Sequence, residues 1–114
     1  MARSRIPDPL TRRHLIEREL APAQALAIAE AYLAQGRSVE ALEFLRKAGA
    51  EDRLQALRRQ AVEEGDAFLL RAVAAQLGVE PEGREWRALA LAAEAAGKPV
   101  YAAQARRHAE VGEE

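Results

Sequence analysis

Metal binding and catalysis both need particular side chains at close spacing, and this chain carries few of them. His14 and Glu17 stand one helical turn apart, so both can face one side as two ligands of a divalent cation. No second histidine is near them in sequence, and His108 sits beside Arg106 and Arg107, which would repel a metal ion. Ser38 has no histidine predicted near it to take its proton, and it reads as a helix cap, not a nucleophile. The chain has no cysteine, which excludes disulfides, thiolate catalysis and cysteine-ligated zinc. Its glycines come one per turn, so no glycine-rich loop cradles a phosphate. These residues point to no enzyme activity, no metal and no cofactor.

Arginine is the chemistry that remains. Three pairs, Arg12–Arg13, Arg58–Arg59 and Arg106–Arg107, would form a basic strip for phosphate contacts if they lay on one side. Nucleic-acid binding is therefore the alternative function. Against it, Glu17, Glu63, Glu64 and Glu110 stand near the pairs and suit intrahelical ion pairing. Aromatics are only 4%, and Tyr32, Phe68 and Trp86 fall at core-like positions, which leaves little for base stacking.

Composition bounds the class. At 114 residues the chain is long enough for one domain with a modest core. Charged residues at 31% and apolar residues at 49% suit a folded chain, not a disordered one. Roughly a quarter of the residues are alanine, the strongest helix former, so helices pack closely. Lysine and arginine number 17 against 18 acidic residues, and a net charge of −1 sets up no global field toward polyanions. No apolar run approaches a membrane span, and Met1–Arg5 lacks the apolar stretch of a secretory signal. The expected location is cytoplasmic.

The elements that position these side chains are marked by glycine. Gly36 and Gly49, Gly65 and Gly78, and Gly97 and Gly112 form three pairs, each reading as the two helix stops of a hairpin. Asp8 caps and Pro9 opens a first helix running to about Glu19. Further helices are expected over Pro22 to Gln35, Ser38 to Ala48, Glu51 to Glu64, and from the Asp66 cap to Leu77. Two more run from Pro81 or Arg84 to Ala96 and from Pro99 to about Glu110. No segment alternates as a strand does. The expectation is all-α with seven helices: a flexible N-terminus over 1–8, then one domain over 9–111 with hairpins near 22–49, 51–78 and 81–111.

Aligned on their central glycines, the hairpins agree. Ala27, Ala56 and Ala88 coincide, as do Ile28, Leu57 and Leu89, then Val39, Phe68 and Val100, then Ala41, Leu70 and Ala102, and finally Ala48, Leu77 and Ala109. Recurring apolar residues in register let stacked hairpins interlock. The register also puts Trp86 where Ala25 and Leu54 stand, in the core, with Phe44 and Leu45 held between helices. The first helix, through Leu10, Leu15 and Ile16, is expected to cover an end with its arginines outward.

The stretch ALAIAEAYLAQGRSVEALEFLRKA, from Ala25 to Ala48, resembles a tetratricopeptide repeat through Ile28, Ala29, Tyr32, Gly36, Ala41, Leu45 and Ala48. The third hairpin matches through Trp86, Leu89, Ala90, Gly97, Ala102 and Ala109, and departs at Ala93 and Arg106. The middle one departs at Arg58 and Leu70, and the glycine spacings of 29 and 32 residues fall short of the family's period. The resemblance implies a right-handed α-solenoid whose first helices line a groove for a peptide. Carried over, that groove holds Leu26, Glu30 and Leu33, then Gln55, Arg59 and Val62, then Arg84, Arg87, Leu91 and Glu94. Its arginines suit carboxylates, so the implied partner is a peptide or protein, acidic for preference, with a homodimer also open. The lysine and asparagine clamp of the chaperone-binding members is absent, since Leu26 and Glu30 take its place.

Overall fold

A computed structural model describes residues 6–112. Met1–Arg5, which make up most of the expected flexible N-terminus, lie outside the described residues, as do 113–114. Among the described residues there are seven helices and no strand: α1 (Pro9–Glu17), α2 (Pro22–Ala34), α3 (Ser38–Lys47), α4 (Glu51–Glu64), α5 (Ala67–Leu77), α6 (Gly83–Ala95) and α7 (Pro99–Gly112). The all-helical class is as expected, and each end falls within two residues of its expected place. The local reasons are visible. Asp8 and Asp66 cap α1 and α5 by accepting from the backbone N–H of Thr11 and Leu69. Gly36, Gly49, Gly65, Gly78 and Gly97 take φ near +70°, the left-handed turn that stops a helix. One cap differs. Arg37, not Ser38, precedes α3, and its guanidinium is held by Glu40 and by the face of Tyr32 at 5.1 Å.

The chain's contacts gather into two compact units, Met1–Leu54 and Gln55–Glu114. In the first, α2 and α3 pack together through Ala25, Ala29, Tyr32, Ala41, Leu42, Phe44 and Leu45, all buried. The Tyr32 and Phe44 rings stack with centroids 5.9 Å apart. No residue of α1 is fully buried: of the expected apolar cover Leu10 is exposed, while Leu15 and Ile16 are half-buried. Arg12 corrects the expectation that these arginines face outward. Its Nη2 donates to the Glu40 carbonyl at 2.9 Å, and its guanidinium lies 5.5 and 5.6 Å from the Tyr32 and Phe44 ring centres. A weakly hydrated planar cation is at home over aromatic faces, and here it tethers α1.

In the second unit, Leu57, Leu69, Leu70, Val73, Trp86 and Leu89 fill the core among small alanines. α6 packs along α7, whose buried residues Ala102, Ala105 and Ala109 permit close approach. Gly65 explains its own identity, because a Cβ there would stand 2.7 Å from the backbone of Ala93.

Burial recurs in register. Ala25, Leu54 and Trp86 are buried, as are Ala29, Arg58 and Ala90, then Tyr32, Ala61 and Ala93, then Ala41, Leu70 and Ala102. Two aligned sets break the expectation of a core position. Val39, Phe68 and Val100 are 38%, 71% and 66% exposed, and Ala27, Ala56 and Ala88 are exposed as well. Helical geometry gives the reason. In α5 the buried stripe is Leu69, Leu70, Val73 and Ala74, and at about 100° per residue Phe68 falls on the opposite side.

Candidate interaction cleft

The side chain that organises the second unit is Arg58. It occupies the stripe Leu54, Leu57, Arg58, Ala61, at the helical spacing of core residues, so folding carries its charge inward. Every nitrogen of its guanidinium is used. Nε and Nη2 donate to Glu85 Oε2 and Oε1 at 2.8 and 2.9 Å, Nη1 to the Val79 carbonyl at 2.9 Å, and Nη2 also to the Glu80 carbonyl at 3.1 Å. Glu85 Oε1 in turn accepts the backbone N–H of Glu82 at 2.9 Å, which caps the start of α6. The hydrogen bonds from Arg58 hold the Glu85 carboxyl below the usual carboxylate range, and Glu85 in turn raises Arg58.

Around this pair lies an open cleft of about 570 Å³ between α4, the Val79–Glu82 connection and α6. Four of the sequence-assigned groove residues line it: Gln55, Arg59, Val62 and Arg84. Its apolar patch is Val62, Val79 and Ala88. Charges balance there, because Arg58, Arg59 and Arg84 face Glu63, Glu82 and Glu85. Two of those cations are already matched, Arg58 by Glu85 and Arg84 by Glu82 at 2.8 Å. Arg59 has no ion pair among the described residues, and it is exposed.

The other assigned residues stand elsewhere. Arg87, Leu91 and Glu94 are exposed on α6 outside the cleft lining, and Glu94 is paired with Arg106 of α7. In the first unit Leu26 borders a shallow hollow with Gly49–Arg53, and Leu33 is half-buried. Glu30 is bonded to Arg53 at 2.6 Å, which lowers the Glu30 carboxyl and occupies its charge.

Of the three arginine pairs, Arg12 and Arg58 serve the fold and Arg106 makes a surface ion pair. Arg12 lies over two rings, Arg58 is enclosed, and Arg106 meets Glu94. His14 and Glu17 are exposed, and among the described residues no group of three or more histidines and carboxylates is placed to hold a metal ion. No helix among those residues is long and apolar enough to cross a membrane. Sequence reasoning missed the Arg58–Glu85 pair, reading Arg58 as a departure from a repeat. The usable signal was an arginine inside an apolar stripe, which demands a buried acceptor. Comparison of the chain with models of protein families, with curated proteins and with solved structures finds no match.

Proposed function

We propose that the chain is a helical-repeat interaction module of the tetratricopeptide-like, α-solenoid kind, working as a cytoplasmic scaffold, and that the α4–α6 cleft takes a short segment of a partner protein. The observation that carries this reading is Arg59, a cation without an ion pair beside the apolar patch of Val62, Val79 and Ala88. A carboxylate of the segment meets Arg59, an apolar side chain lies on the patch, and the Gln55 amide serves the segment's backbone. A charge-assisted hydrogen bond in such a partly dried site contributes roughly 1.5–3 kcal/mol. The reading assigns the chain no reaction.

Capture of partners from nuclease-treated lysate by the full chain, read by mass spectrometry, tests it. Arg59→Glu is expected to abolish capture with the melting curve unchanged, while Arg13→Glu and Arg107→Glu, both exposed elsewhere, keep it. Full-strength capture by Arg59→Glu would remove the cleft from the reading. Loss of capture on nuclease treatment, with steep salt dependence, would favour nucleic acid instead.

A further inference from the structure

The second unit carries another surface, built on α5 and α7. Two adjoining hollows of about 820 and 390 Å³, both lined by Phe68, Arg71 and His108, make up a two-part trough. The larger hollow is bordered by the indole of Trp86, itself buried, on which the His108 imidazole stacks with centroids 4.5 Å apart and planes 22° apart. Phe68 lines both hollows and Tyr101 the smaller one, and they are 71% and 52% exposed. A phenylalanine turned to water adds nothing to the core, yet it offers a large apolar area to anything that covers it.

The charges say what can cover it. Arg71 and Lys98 flank the Phe68–Tyr101 end, and neither has an ion pair among the described residues. The acid at that end, Asp66, is engaged as the α5 cap by the Leu69 N–H at 3.0 Å. Glu80 belongs to the far end of the trough. That end carries two cations without an ion pair against one carboxylate, Asp66, beside aromatic rings, and its complement is an anion next to an apolar side chain.

We propose that this trough docks an acidic segment of a partner protein bearing an aromatic or branched aliphatic residue. That residue sits among Phe68, Tyr101 and the His108 imidazole that stacks on Trp86, and neighbouring carboxylates meet Arg71 and Lys98. The α5 residues that line it run from Ala67 to Ala75, about 12 Å, room for roughly four residues of extended chain. The site is independent of the α4–α6 cleft and stands whether or not that cleft binds anything.

A random peptide library displayed on phage, selected on the full-length protein and counter-selected on the Phe68→Ser/Arg71→Glu double variant, tests the assignment. Trp86 is the one tryptophan of the chain, so its emission reports directly on the trough. Enriched peptides are expected to combine Asp or Glu with Phe, Leu or Ile. Their tryptophan-free synthetic versions should shift Trp86 emission saturably. Affinity should fall about tenfold or more with either Phe68→Ser or Arg71→Glu, and stay unchanged in Arg59→Glu. Both altered residues are exposed, and thermal melts confirm that the variants fold. Failure to enrich any peptide, enrichment of basic peptides, or binding indifferent to both substitutions overturns the proposal. A concentration-dependent dimer that dissolves in Phe68→Ser would assign the trough to a second copy of the chain and overturn it too.

Discussion

Arg58 grips Glu85 with two parallel hydrogen bonds, Nε to Oε2 at 2.8 Å and Nη2 to Oε1 at 2.9 Å. The same guanidinium holds the carbonyls of Val79 and Glu80, and the same carboxylate caps α6 through the Glu82 N–H. One residue pair thus ties α4 to the 79–82 connection and to the start of the next helix. It also shapes the cleft wall on which Arg59 and Arg84 stand.

Removing the carboxylate leaves a nearly buried guanidinium without its counter-charge. Glu85→Ala is expected to cost about 2–4 kcal/mol, somewhat less than the roughly 3–5 kcal/mol for breaking a fully buried pair, since the Glu85 side chain keeps 22% exposure. Glu85→Gln, which keeps one acceptor, should cost less. Denaturant melts decide, and a loss under about 1 kcal/mol for Glu85→Ala would mean the pair is as weak as a surface one.

Acid should reveal the same pair. The folded-state Glu85 carboxyl is held low, chiefly by the Arg58 hydrogen bonds, so its stabilising contribution is complete above the ordinary glutamate value of about 4.3. That contribution is lost as pH falls through the lower, folded value. Stability measured from neutral pH downward should therefore fall on acidification, with a shallower fall in Glu85→Gln. Parallel curves for the two proteins would contradict the assignment.

The helices were legible because their punctuation is local. Asp8 and Asp66 cap, prolines open, and left-handed glycines close, each acting within one turn. The core was legible where register between hairpins or the family resemblance agreed with the 3.6-residue stripe, as at Trp86, Leu70 and Tyr32. It was misread at Phe68, where alignment between hairpins and large apolar size outweighed the angle around the helix. Of the candidate cleft, Gln55, Arg59, Val62 and Arg84 came from a family resemblance and lie together. What joins them could not be read locally, because Arg58 and Glu85 stand 27 residues apart and only the packed chain brings them within bonding distance.

Two glycines with the same backbone should separate two costs. Gly65 and Gly78 both hold φ +70°, but a Cβ meets the Ala93 backbone at 2.7 Å at Gly65 and nothing within 4 Å at Gly78. Gly78→Ala is expected to cost about 1–2 kcal/mol, the left-handed penalty alone. Gly65→Ala adds overpacking of about 1–3 kcal/mol and should shift α6 away from the turn. Equal losses in paired thermal melts would mean that α6 yields freely at Ala93.

Trp86 gives the sharpest single reading of the second unit. Its indole is 5% exposed and borders the trough, with the His108 ring on one face. Trp86→Ala should cost about 3–5 kcal/mol, a large share of the stability of a small protein. His108→Ala removes only the stacked partner, so it should cost about 0.5–1.5 kcal/mol and shift Trp86 emission toward that of a wetter indole. The two substitutions must rank in that order if the indole is a core residue and the imidazole its lid. A Trp86→Ala loss below about 1 kcal/mol would place the indole in water, and Trp86 emission unmoved by His108→Ala would mean that the imidazole is not its lid.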